Sequence, residues 1–175
     1  MLGGVDVLTS TLDQLREAHE EVATLDEAFE AAEGLSGINL ELKPPIPVIE
    51  SFLNRLMTSC SSWPRGLLLS SFFIPLIEQV RTIWPDVETG ILSGASYDPH
   101  GRVALDAAAS LNCAIVLPEH PSISERLIED AHGAGRRVIT WTVNDPARVR
   151  VLAESGIDGI ITDDIARTRA AVGPI

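Results

Sequence analysis

The sequence predicts an α/β protein, and three observations carry that prediction. Six short apolar runs alternate with helical stretches, several of those runs are almost continuously hydrophobic, and glycine or proline punctuates the junctions. Strands buried on both faces read as continuous apolar segments, and successive parallel strands need a crossover helix between them. Six such units in a row leave two architectures, an open doubly wound sheet or part of an eight-stranded α/β barrel. Spacing alone does not choose between the two.

The elements follow in order. Residues 10–22 read as a helix started by Ser10 or Thr11, with Leu12, Leu15 and Val22 on one face and Asp13, Arg16, Glu17, Glu20 and Glu21 on the remainder. A second helix opens at Thr24, which forms a capping-box pattern with Glu27, carries Ala28, Phe29 and Ala32 as its apolar stripe, and stops at Gly34. The six apolar runs at 38–42, 66–72, 87–92, 113–117, 137–143 and 157–162 are expected strands. Helices are expected at 45–57, 74–83, 103–111, 124–134, 147–155 and 164–171, with Ser122 and Glu125 as a capping box for the 124–134 helix. Gly135 and Gly156 stand where C-terminal caps belong.

Composition narrows the partners. The chain has 175 residues, 13 Lys+Arg against 25 Asp+Glu and a formal net charge of −12, with Lys43 as its single lysine. Polyanions attract clustered cations, so nucleic acid and an anionic bilayer are excluded as expected partners. Cys60 and Cys113 stand far apart, with no C-x-x-C pattern, and read as small core residues rather than a disulfide or zinc site. No basic stretch followed by an apolar run opens the chain and no run of about 18 apolar residues occurs, so neither a signal peptide nor a membrane span is expected, and the compartment is read as cytoplasmic. No G-x-G-x-x-G or P-loop pattern follows any strand. With no internal repeat and no linker, residues 1–175 form one expected domain. A complete eight-unit barrel typically takes about 250 residues, so a barrel here would be short by roughly two units.

In both architectures ligands sit at the carboxyl ends of the strands. The first strand delivers Glu41 and Lys43, two residues apart and so on one face, with Pro44 ending it. The later strands deliver Ser70, Ser71 and Phe72; Ser93 and Gly94; Glu119 and His120; Trp141, Thr142 and Asn144; and Asp163 and Asp164. A carboxylate beside an ammonium on a buried strand is costly unless the two pair or hold a ligand. Glu41 and Lys43 therefore read either as part of a metal-plus-phosphate site or as a structural ion pair at the mouth. Trp141 reads either as a cleft wall or as packing, and Asn144 as an N-cap before Pro146. His19 reads as a surface residue, His100 as a turn residue and His132 as a helix-end residue, which leaves His120 as the histidine placed to meet a substrate.

Four blocks in order then carry a resemblance. Gly37-Ile38-Asn39-Leu40-Glu41-Leu42-Lys43-Pro44, Leu69-Ser70-Ser71-Phe72, Ala131-His132-Gly133-Ala134-Gly135 leading to Trp141-Thr142-Val143-Asn144-Asp145-Pro146, and Gly156-Ile157-Asp158-Gly159-Ile160-Ile161-Thr162-Asp163 closely resemble the glycerophosphodiester phosphodiesterase family. Thr24-Leu25-Asp26-Glu27-Ala28-Phe29 is similar to the family's threonine-leucine-glutamate helix start. The resemblance covers essentially the whole chain. It implies a TIM-type (β/α) barrel, and hydrolysis of a glycerophosphodiester to glycerol 3-phosphate and an alcohol with Mg²⁺ or Ca²⁺. By resemblance Glu41 is a metal ligand, Lys43 lies at the phosphate, Trp141 walls the glycerol pocket, and Ser71 and Phe72 lie close to the site.

The family also begins with a strand ending in histidine-arginine-glycine, a glutamate-x-aspartate strand and a histidine-aspartate pair, and none of these precedes Leu12. The expectation is thus an incomplete barrel of about six parallel βα units with its N-terminal strands missing. Three functional expectations follow. In the first, a glycerophosphodiester hydrolase is completed by a second chain, or its site is rebuilt by His120, Glu119 and Asp163. In the second, the chain is an inactive remnant that holds a glycerol-phosphate-like ligand through Lys43 and Trp141. In the third, it is an interaction module. An incomplete barrel has two open edges, and open edges pair, so a homodimer with two-fold symmetry is the expected assembly.

Overall fold

The computed structural model describes residues 4–61, 63 and 66–173; residues 1–3 of the stretch read for a signal segment lie outside these. Two short helices, α1 (Leu12–Ala18) and α2 (Leu25–Ala31), precede six βα units. The units run β1 (Gly37–Glu41), α3 (Ile49–Cys60), β2 (Gly66–Ser71), α4 (Ile74–Ile83), β3 (Glu88–Ser93), α5 (Arg102–Ser110) and β4 (Ile115–Pro118). They continue through α6 (Glu125–Gly133), β5 (Arg137–Thr140), α7 (Pro146–Glu154), β6 (Gly159–Ile160) and α8 (Ile165–Val172).

The sheet settles what spacing left open. Its six strands are parallel and lie in sequence order from β1 to β6. A doubly wound sheet reverses strand order at a switch point, whereas a barrel does not. The sheet is also curled. Phe72, just after β2, meets Trp141, just after β5, edge to face at 5.3 Å between ring centres. Strands three places apart on a flat sheet are about 14 Å apart, so that meeting needs curvature. The architecture is a half-barrel of the TIM type.

Alternation along the strands builds two apolar layers. Leu69, Ile91, Val116 and Val138 face the helices and pack with Leu53, Ile77, Val80, Ala104, Leu105 and Leu127. Leu68, Leu92, Ile115 and Leu117 face the concave side, with Ile139, Trp141 and Ile161 against them. The edges behave differently, because β1 and β6 stand at the two ends of the strand order. Burial falls accordingly, from complete along β4 to partial in β1 and β6.

Several boundaries move for local reasons. The first helix ends at Ala18 rather than residue 22, with Thr11 as N-cap in a capping box with Gln14. The α3 helix starts at Ile49 rather than at 45, because Pro45 and Pro47 hold the residues before them out of helical geometry. The strands expected at 137–143 and 157–162 shorten to β5 and β6, although Val143 and Ile161 still pair by a backbone bond of 2.9 Å. The cap of α6 is Ser124, whose hydroxyl accepts the Leu127 N–H, while Ser122 instead donates to the Asp98 carbonyl at 2.8 Å. Thr24 and Glu27 do form the expected capping box, and Gly135 and Gly156 take the positive φ of 71° and 82° that ends a helix. Both cysteines are free and buried, and burial pushes both thiols up, as core residues rather than nucleophiles. Among the described residues no helix is long and apolar enough to cross a membrane.

Candidate functional site

The carboxyl ends of the strands form the mouth of the half-barrel. On β1 the side chains of Leu40 and Leu42 pack toward α3 and α4, which turns Asn39, Glu41 and Lys43 to the opposite face. Asn39 is tied there, its side-chain oxygen accepting the hydroxyl of the buried Ser70 at 2.9 Å. Glu41 stands opposite Ser70 in the register. Its carboxylate meets the Lys43 ammonium at 3.4 Å.

The setting of that pair differs from a buried one. The Lys43 side chain is 75% exposed and that of Glu41 32%, because β1 is an edge strand. Desolvation therefore does not force them together, and an exposed pair stabilises by about 0–1 kcal/mol. So weak a contact leaves both groups available to a ligand.

The other mouth residues separate into two kinds. Phe72 and Trp141 form an apolar corner, and the Trp141 indole N–H donates to the Leu117 carbonyl at 2.8 Å, which fixes the ring. The residues at the ends of β4 and β5 also meet, since Glu119 bridges Trp141 and the His120 N–H donates to the Trp141 carbonyl at 3.2 Å. The His120 imidazole makes no hydrogen bond among the described residues, while its carbonyl accepts from the Arg148 guanidinium at 2.6 Å. The remaining polar groups are spent locally. Ser71 is fully buried, and its hydroxyl donates to the Leu42 carbonyl at 2.7 Å and accepts the Phe73 N–H, so it locks the ends of β1 and β2 together. Glu119 accepts the Ala95 N–H at 2.8 Å and so anchors the loop after β3.

Asn144 is not the helix cap its position suggests. Asp145 caps α7, and Asn144 accepts from Asp163 N and Thr162 Oγ1 and donates to the Asp163 carboxylate at 2.7 Å. This clasp holds the ends of β5 and β6 and occupies Asp163. His132, at the end of α6, pairs instead with Asp158 at 2.7 Å, at the end of the sheet opposite the mouth.

A divalent cation does not fit the residues this chain brings together. Such an ion takes about six oxygen ligands, several of them carboxylates. Glu41 contributes a single carboxylate, and no group of three or more His, Cys, Asp or Glu able to hold a metal occurs among the described residues. Asn39 and Arg148, which position Ser70 and His120, were not singled out from sequence. Asn39 carried a signal, a polar residue two positions before Glu41 on the same face.

A sequential parallel half-barrel, with the Glu41 and Lys43 pair and an aromatic corner at its carboxyl mouth, defines a (β/α)-barrel type of protein. The chain belongs to the glycerophosphoryl diester phosphodiesterase family, whose model matches residues 5–167. It is 26% identical over 151 residues to a glycerophosphodiester phosphodiesterase of Caldanaerobacter subterraneus subsp. tengcongensis, covering 84% of this chain and 60% of that protein. It is 23% identical over 146 residues to YhdW of Bacillus subtilis, covering 82% and 59%. The chain thus spans about three-fifths of the length of these relatives. Among solved structures, an Oleispira antarctica phosphodiesterase in complex with the product sn-glycerol-3-phosphate superimposes with a TM-score of 0.75 at 24% identity, covering 91% of this chain and 65% of that one. The glycerophosphodiester phosphodiesterase of Thermotoga maritima gives a TM-score of 0.70 at 22% identity, covering 93% and 70%. These two likenesses show the fold.

Proposed function

We propose that this chain binds the phosphate and glycerol of a glycerophosphodiester, and that hydrolysis to glycerol 3-phosphate and an alcohol is completed by groups from a second chain. The observation that supports this reading most is the Glu41 and Lys43 pair, 3.4 Å apart and open to a ligand at the mouth of a barrel from this family. Lys43 supplies charge to the phosphate. Trp141 and Phe72 wall the glycerol, and Ser71 acts through them by holding the ends of the first two strands. Glu41, by its resemblance to the family's metal-ligand glutamate, is the one residue of this chain assigned to a cation, and by itself it holds none. His120, beside Trp141, is this chain's proton carrier in the reading.

The test is release of glycerol 3-phosphate from a glycerophosphodiester by the purified, folded chain with Mg²⁺, Ca²⁺ or EDTA. The expected result is binding of the diester without turnover. Metal-dependent turnover that Glu41→Ala and Lys43→Ala each abolish would overturn the need for a second chain, and would assign the chemistry to His120, Glu119 and Asp163. A folded chain that binds no diester would overturn the reading as a whole.

The places of β1 and β6 at the two ends of the strand order support a second reading, in which two copies of this chain meet in a two-fold dimer. A cytoplasmic location belongs to the same proposal, and the two free, buried thiols are compatible with a reducing compartment. A monodisperse monomer in sedimentation would overturn the dimer.

A further inference from the structure

A groove of about 450 Å³ opens directly beside Glu41 and Lys43, between the segment before α1, the proline-rich turn after β1 and the first turns of α3. Its lining is largely apolar and includes Val7, Leu8, Ile46, Val48 and Phe52. Three of these are large apolar side chains left open to water, with Val7 52%, Leu8 53% and Val48 64% exposed. Exposed apolar side chains scattered singly need no explanation, but a cluster lining one groove marks a binding surface. The same lining also carries the opposite chemistry. Lys43 and Arg55 both line the groove, in a chain whose net charge is −12. Arg55 makes no ion pair among the described residues, and Lys43 makes only its exposed contact with Glu41.

We propose that this groove takes a single alkyl chain of a phosphate-bearing amphiphile, whose phosphate lies between Lys43 and Arg55. The inference rests on the assignment of Lys43 to phosphate, and it names the substrate class: a diester whose alcohol is a long-chain one. Charge complementarity selects this occupant. Two cations against one carboxylate in the lining favour an anionic head, and the apolar majority of that lining favours a tail without charge. The volume lies in the ordinary range for small-ligand sites, about 300–1,000 Å³.

The test is calorimetric titration with butyl, hexyl and octyl phosphate below their micelle concentrations, beside glycerol 3-phosphate. Burying a methylene fully gives about a fourfold gain in affinity, so a half-open groove is expected to give about twofold to fourfold per methylene. Arg55→Gln is expected to weaken every alkyl phosphate by about tenfold. Phe52→Ala and Val48→Ser are expected to flatten the dependence on chain length. Val48 is the exposed N-cap of α3 and serine is a favoured N-cap, so the second variant keeps the fold even where loss of Phe52 does not.

Alkyl phosphates that bind no tighter as the chain lengthens would overturn the groove while leaving glycerol 3-phosphate binding, and the proposed function, intact. Length-dependent binding without glycerol 3-phosphate binding would support the groove and overturn the glycerol reading. Absence of length dependence in protein that sediments as a dimer would give the groove to a second copy of this chain and overturn the proposal. Unchanged octyl phosphate affinity in Val48→Ser would overturn it as well.

Discussion

Phe72 and Trp141 meet edge to face at 5.3 Å although they follow strands three places apart in the sheet. That contact closes part of the concave face and places an aromatic corner at the mouth. Trp141 is held from below as well, by its hydrogen bond to Leu117. Trp141→Phe is therefore expected to cost about 1 kcal/mol by leaving the Leu117 carbonyl without its donor, and Trp141→Ala about 3 kcal/mol. Phe72→Ala, at a side chain that is 42% exposed, is expected to cost less than Trp141→Ala in the same urea titration.

Asp98 is a second structural anchor, and it was invisible as such in the sequence. It is 2% exposed, and its two carboxylate oxygens accept the N–H groups of Val103 and Ala104 at the start of α5. Removing it leaves two donors unpaired at a buried helix start. Asp98→Ala is expected to cost roughly 2–4 kcal/mol, and Asp98→Asn clearly less because one acceptor oxygen remains. Chemical denaturation of both variants checks the order.

Acid sensitivity has a defined source at the opposite end of the sheet. Burial raises the Asp158 pKa, but the Val138 N–H at 2.7 Å, His132 and Arg137 together outweigh it and hold the carboxyl below its ordinary value. A carboxyl with a depressed folded pKa stabilises the protein above the unfolded value of about 3.9 and loses that contribution as pH falls through the folded value. Asp158→Asn is therefore expected to be less stable than the parent at neutral pH and to converge with it as pH falls through the lowered folded value. Urea midpoints measured at both ends of that range decide it, and a gap that persists in acid would contradict it.

Metal removal separates binding from turnover. With no group of three or more metal-binding side chains among the described residues, the isolated chain is expected to bind glycerol 3-phosphate equally in Mg²⁺ and in EDTA, within about threefold. A loss of tenfold or more in EDTA would show that the chain builds a cation site unaided.

The parallel order of the units was legible because hydrophobic runs, caps and glycines carry it locally. Thr24 with Glu27, Gly135 and Gly156 each state a helix end in one or two residues. The barrel itself was not legible from spacing, since curvature depends on contacts such as Phe72 with Trp141 that join distant parts of the chain. Glu41 and Lys43 were found by their alternation, but their exposure was misread because nothing local says that β1 is an edge. Asn144 failed for a related reason. Its neighbour Asp145 takes the cap, and its own partners Thr162 and Asp163 lie 18 and 19 residues away.

The central claim is that Lys43, at the end of an edge strand, holds the phosphate of the ligand. Calorimetric titration of the folded chain with sn-glycerol 3-phosphate, beside Lys43→Ala, tests it most directly. Measurable binding by the parent and a loss of about tenfold or more in the variant are expected, the scale of one charge-assisted contact. Equal affinity in the two proteins, or no binding by a parent shown to be folded, would contradict it.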